Sequence, residues 1–122
     1  MANDRDLLRG NIPTLILAVV SEGPLHGLAI AREINQRSNK ALELKQGTLY
    51  PALHALERDG WICGEWEILE GERPRKIYTL TPGGTAELER RMRAWDQFTA
   101  AMERVTRSKR HEQLASSDPL LL

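Results

Sequence analysis

A mainly α fold with one small β-hairpin is what the sequence predicts, on three observations. Lys45 to Trp61, KQGTLYPALHALERDGW, reads as a short helix with two unlike faces. The alternating segments WICGEWEI and RKIYTL, separated by LEGERP, read as a hairpin directly behind it. Beyond Pro82 a long helical stretch carries apolar residues seven apart. At 122 residues the chain is one small domain that buries roughly two thirds of its unfolded surface, so a partner subunit would add to its stability.

Taken in order, Met1 to Arg5 is polar and expected to fray. Pro13 is a favoured first helical residue, and TLILAVV from Thr14 is apolar on nearly every side, which predicts a buried helix ending at the SEGP turn from Ser21. Leu25 to Ser38 resumes helical spacing through Ala31 and Ile34, and Gly27 leaves room for a close neighbour. After the linker from Asn39 to Leu44 comes the two-faced helix. Leu49, Ala52, Leu53 and Leu56 form its core stripe, whereas Tyr50, His54 and Glu57 fall on the other side and Tyr50 is held outward. Pro51 is compatible with this helix only near its start, and Gly60 stops it. The amino end offers Gln46, Gly47 and Thr48 with a free positive end of the helix dipole, an arrangement suited to lying in a DNA groove.

In the hairpin, Ile62 and Trp66 share one strand face, as do Tyr78 and Leu80 on the partner strand, so an apolar side is expected to close over the helices. Its tip brings Arg73, Arg75 and Lys76 within reach of a phosphate backbone, beside Glu70 and Glu72. Three helices followed by a basic-tipped hairpin predict a winged helix-turn-helix over residues 7–80. Thr81 is the expected N-cap of the last helix, 81–107. There Leu88, Trp95 and Met102, with Phe98, Val105 and Met92, form a seam that suits a second copy of the chain, although Arg91 interrupts it. Residues 108–122 are expected to be a disordered tail.

Composition narrows function without naming it. Lys plus Arg number 17 and Asp plus Glu number 17, so affinity for DNA has to come from local placement. The single cysteine, Cys63, excludes an intrachain disulfide, and the opening MANDRDLL lacks a signal peptide's apolar run. The run from Leu15 to Val20 is too short to span a bilayer, so a cytoplasmic protein with no membrane partner is expected. His26, His54 and His111 are scattered, Cys63 has no histidine at ligand spacing, and no phosphate loop or nucleophile motif occurs; neither an enzyme nor a cofactor is expected. A metal-responsive regulator using Cys63, or a winged helix that binds protein instead of DNA, are the alternatives. Salt-sensitive DNA retention separates the last from the main reading.

HGLAIAREI from His26, GTLYPALHALERDGWI from Gly47, the following Trp66, RKIYTLTPGG from Arg75 and Trp95 together resemble the PadR family of bacterial transcriptional regulators. The resemblance covers about residues 7 to 106 and departs from the family pattern at Leu28, where Tyr is more usual, and at Pro74 in a wing that is commonly rich in Gly and Arg. It implies a homodimer of the short subfamily, binding double-stranded DNA and repressing efflux or detoxification genes until a small planar aromatic effector releases it. For the operator, a palindrome with half-sites about one helical turn apart is expected, with Gln46, Thr48, Tyr50 and His54 facing it. Two Trp95 indoles near the dimer axis would form a slot for a flat aromatic molecule; Leu7 and Thr99 are where the resemblance puts a wall and a polar contact.

Overall fold

The computed structural model describes the backbone of residues 4–117 and the side chains of residues 5–107. Seven elements follow in order: α1 Asp4–Val20, β1 Leu25–His26, α2 Gly27–Arg37, α3 Gln46–Arg58, β2 Ile62–Glu67, β3 Arg75–Leu80 and α4 Pro82–Ser117. Two compact units result, the first ending at Glu89 and the second beginning at Arg90, so the division falls inside α4.

The first unit is a winged helix. Its core is made by Ile12, Ile16, Leu17, Val19 and Val20 of α1, Ile30 and Ile34 of α2, Leu49, Leu53 and Leu56 of α3, and Ile62 and Tyr78 from the sheet, with Leu44 pinning the linker. Leu49, Leu53 and Leu56 belong to the stripe read from the sequence on α3, and Ile16, Leu17, Val19 and Val20 to the apolar run from Thr14, whereas Ala31 and Ala52 are only partly buried. α1 nevertheless begins well before Pro13, which sits inside the helix and costs it the bond to the Arg9 carbonyl. Arg9 is exposed, so its carbonyl is not shut away from solvent. Pro51 is likewise inside α3, in its second turn, and the carbonyl it leaves unpaired belongs to exposed Gly47.

Helix ends follow the expected chemistry. At the end of α3 the Trp61 N–H donates to the Leu56 carbonyl and the Gly60 N–H to the Glu57 carbonyl, both at 3.0 Å, with Gly60 at φ +80°. This is a Schellman closure, and it launches β2 at once. Thr81 caps α4 by accepting from the Gly84 N–H at 2.9 Å, while its hydroxyl donates to the Gly60 carbonyl at 2.6 Å. One residue thus ties the start of α4 to the end of α3. α4 continues ten residues past the Arg107 at which the sequence reading ended it. SKRHEQLASS contains good helix formers and no Gly or Pro, so the expected tail is helical as far as Ser117. Residues 118–122 lie outside the described residues.

The sheet has three antiparallel strands in the order β1-β3-β2, one more than the expected hairpin. Leu25 pairs with Tyr78 and His26 with Ile77, while β2 and β3 pair from Ile62↔Leu80 to Glu67↔Arg75. α2 accordingly starts at Gly27, with His26 as its N-cap: Nδ1 accepts from the Ala29 N–H at 3.3 Å.

Candidate nucleic-acid interface

α3 presents Gln46, Gly47 and Thr48 at an exposed amino end. Its N-cap, Lys45, makes no side-chain cap hydrogen bond; the Thr48 N–H donates to the Lys45 carbonyl at 2.9 Å, and the exposed Gln46 and Gly47 stand at the positive end of the dipole. His54, two turns on, is exposed. Tyr50 differs from expectation: it is half-buried against the core, and its ring leans over Gly27. A Cβ at Gly27 would stand 3.1 Å from Tyr50 Cε1 and 3.3 Å from Leu53 Cδ1. The missing side chain of Gly27 is therefore what lets α2 and α3 approach, as its place in the sequence suggests.

Between α3 and the wing lies an open groove of about 570 Å³, bounded by His26, Leu28, Tyr50, His54, Trp66 and the run from Glu72 to Lys76. Trp66 corrects a sequence expectation. It shares the inner strand face with Ile62, but it is 66% exposed, because the hairpin extends past the helices and only its base, at Ile62, Tyr78 and Leu80, meets the core. His26 and Trp66, with Leu28, Glu72 and Pro74, are among the groove residues that sequence reasoning left out of the site. The signal for His26 was its place just ahead of a helix start, where a side-chain acceptor is wanted.

The three basic residues of the wing do not act alike. Arg75 and Lys76 are consecutive in β3 and so lie on opposite faces. Arg75 bonds Glu67 across the hairpin, Nη2 to Oε1 at 3.0 Å. Lys76 Nζ donates to Glu57 Oε1 of α3 at 2.8 Å, a bond that raises the Lys76 pKa. Arg73, in the exposed β2–β3 loop, makes no ion pair among the described residues. Burial foremost, then Arg75 and Arg32, hold the His26 imidazole below its ordinary 6.5, with Glu67 offsetting part of the effect.

A lowered folded pKa means that the unfolded chain takes up the proton first. The His26 contribution to stability is therefore complete above about pH 6.5 and is lost as pH falls below it. In urea unfolding at pH 7 and at pH 5, wild type is expected to lose more stability than His26→Asn, which keeps a capping acceptor without a titrating ring. Equal losses would mean that His26 titrates alike in both states.

Leu7 lies exposed on α1 in the first unit, whereas Trp95 and Thr99 lie on α4 in the second. The Trp95 indole is 44% exposed and packs beside Phe98, ring centroids 6.4 Å apart and tilted by 42°. The Thr99 hydroxyl donates to the Asp96 carbonyl at 3.1 Å, leaving its oxygen free to accept. Met92, Phe98, Met102 and Val105 are also exposed on this stretch of α4. Among the described residues no group of three His, Cys, Asp or Glu side chains could hold a metal ion, and no helix is long and apolar enough to cross a membrane.

Known proteins agree with this architecture. A transcriptional regulator of Mycobacterium tuberculosis is 32% identical over 94 residues, which is 77% of this chain and 84% of that protein. The solved structure of a transcriptional regulator from Clostridium thermocellum superposes with a TM-score of 0.76 at 27% identity, covering 83% of this chain and 98% of that one. A PadR family regulator from Eggerthella lenta gives 0.75 at 26% identity, over 84% and 88% of the two chains. The profile of the PadR-like transcriptional regulator family matches residues 16–90. A winged helix built on these residues, the family match over residues 16–90 and a relative named as a transcriptional regulator make the chain a member of the PadR family of transcriptional regulators.

Proposed function

We propose that the chain is a dimeric repressor that binds a palindromic operator through residues 7–80, pairs through residues 81–107, and is released by a small planar aromatic effector. The observation that carries the DNA reading is the exposed, uncapped amino end of α3. Gln46 and Thr48 face base edges in this reading, Tyr50 and His54 face bases or nearby phosphates from the groove side, and Arg73 and Arg75 supply phosphate contacts from the wing. Replacing Gln46 by Ala is expected to cost about 1 to 3 kcal/mol on the preferred duplex and much less on a scrambled one. Competition binding on the two duplexes measures this, and an equal loss on both would remove Gln46 from base recognition.

The effector reading rests on Trp95, a half-exposed indole in the apolar stretch of α4. Two such indoles across a dimer axis form a slot in which a flat ring stacks, with Thr99 as the polar contact. A ligand that binds better when the two α3 helices of the dimer stand at a spacing other than the operator's lowers operator affinity. The test is indole quenching by planar aromatics and cationic dyes with Trp61 and Trp66 replaced by Phe. Saturable quenching, lost in Trp95→Ala and coupled to weaker operator binding, is expected; a chain that binds its operator and is quenched by none of them is a repressor without this site.

A further inference from the structure

The wing is joined to α3 by a contact that does not resemble a phosphate-binding lysine waiting for DNA. Lys76 stands on the inner face of β3, opposite Trp66 in the ladder, and reaches back to Glu57 in the last turn of α3. Its stem fills the space that Gly64 leaves empty: a Cβ at residue 64 would overlap Lys76 Cε and would lie 3.1 Å from the Tyr78 ring and 3.2 Å from Glu57 Oε2. Its ammonium lies 5.7 Å from the centroid of Tyr78, a ring only 2% exposed and fixed in the core. Glycine, lysine, tyrosine and glutamate thus interlock at the junction of helix and wing. The Arg75–Glu67 pair stays within the hairpin, whereas this one spans two elements.

A two-stranded ribbon that extends beyond its core is free to swing unless something fixes its angle. Here the angle matters twice, because it places Arg73 at the tip and the groove wall at Trp66 relative to Gln46 and Thr48. We propose that Lys76 is a positioning residue for operator recognition: its ion pair with Glu57, seated over Gly64, sets the angle between the wing and α3 and does not contact phosphate. This rests on the reading that α3 and the wing both engage DNA.

The two roles of Lys76 predict opposite signs for Glu57. If Lys76 were a phosphate contact, Glu57→Gln would free the lysine and remove a negative charge near DNA, so binding to every duplex would tighten and its salt dependence would steepen. If Lys76 is a strut, Glu57→Gln loosens the wing and preference for the operator falls. The experiment uses the full chain, the duplex that wild type selects from a random pool, and a scrambled control, with affinities measured across salt concentrations and thermal unfolding followed in parallel. Lys76→Met and Glu57→Gln are each expected to lower the operator-to-scrambled ratio by about tenfold, the loss of roughly one base contact, at an unchanged salt slope and with a single cooperative melting transition retained. Arg73→Gln is expected to do the reverse, keeping the ratio and flattening the slope by about 0.9. The charge exchange Glu57→Lys with Lys76→Glu should restore the ratio. Tighter binding in Glu57→Gln, a slope flattened by about 0.9 in Lys76→Met, or a wild-type ratio in both variants would overturn the strut. Should Lys76→Met not fold, Glu57→Gln keeps the side-chain shape and decides alone. A wild type that does not discriminate between the duplexes overturns the DNA reading itself and this one with it.

Discussion

Met102→Asp is expected to leave a folded monomer that binds a two-half-site duplex at least a hundredfold more weakly than wild type. Met92, Trp95, Phe98, Met102 and Val105 are all exposed on α4, Val105 to 81%, and this run of large apolar side chains is what the proposed pairing buries. A carboxylate buried there without a partner costs more than the neighbouring contacts recover. The fold should survive, because the core of the first unit includes none of these residues. Two half-sites bound by one dimer gain an effective concentration that a monomer forfeits, worth roughly 10² to 10⁴ in affinity. Light scattering and circular dichroism on the variant, followed by binding to whole and half operators, give the answer. A variant that is still a dimer places the contact elsewhere.

Gly84→Ala should be the most destabilising small change in the first unit, at about 3 kcal/mol, the upper end of what overpacking costs. A Cβ at that position would overlap the Trp61 carbonyl oxygen and stand 2.8 Å from Leu80 Cδ1. Backbone, unlike a flexible side-chain end, cannot step aside. The Trp61 carbonyl accepts from the Thr81 N–H at 3.2 Å, and its own N–H closes α3. Gly83 is the internal control, since a Cβ there has only ordinary contacts, the nearest at 3.7 Å. Gly83→Ala should therefore gain roughly 0.5 to 1 kcal/mol from helix propensity. Urea unfolding of both variants measures the contrast, and a Gly84→Ala chain as stable as wild type would mean that α4 docks more loosely than Thr81 and Trp61 suggest.

The sequence carried most of the first unit because its signals were local. Leu49, Leu53 and Leu56 repeat at helical spacing, Gly60 can adopt a left-handed turn, Thr81 precedes Pro82, and WICGEWEI alternates; each acts within a few residues of itself. What escaped depends on residues far apart in the chain. β1 is two residues long, too short to show alternation, and exists because β3, some fifty residues later, offers it an edge. Lys76 and Glu57 are each ordinary surface residues by composition, and only the hairpin's return over α3 brings them together. The exposure of Trp66 likewise reflects how far the ribbon projects, which alternation alone does not encode. Pro13 shows the converse limit: a proline read locally as a first helical residue lies well inside α1, tolerated because the carbonyl it orphans belongs to exposed Arg9.

Selection of sites from a random duplex pool by the intact chain, followed by hydroxyl-radical footprinting of the winner, tests most directly whether α3 reads DNA as one of a symmetric pair. An inverted repeat with two protected half-sites on one face of the duplex, their centres about one helical turn or roughly 34 Å apart, is predicted. The half-site pattern should degenerate when Gln46→Ala repeats the selection. No enriched inverted repeat, or an enriched site that Gln46→Ala selects just as strongly, would contradict it.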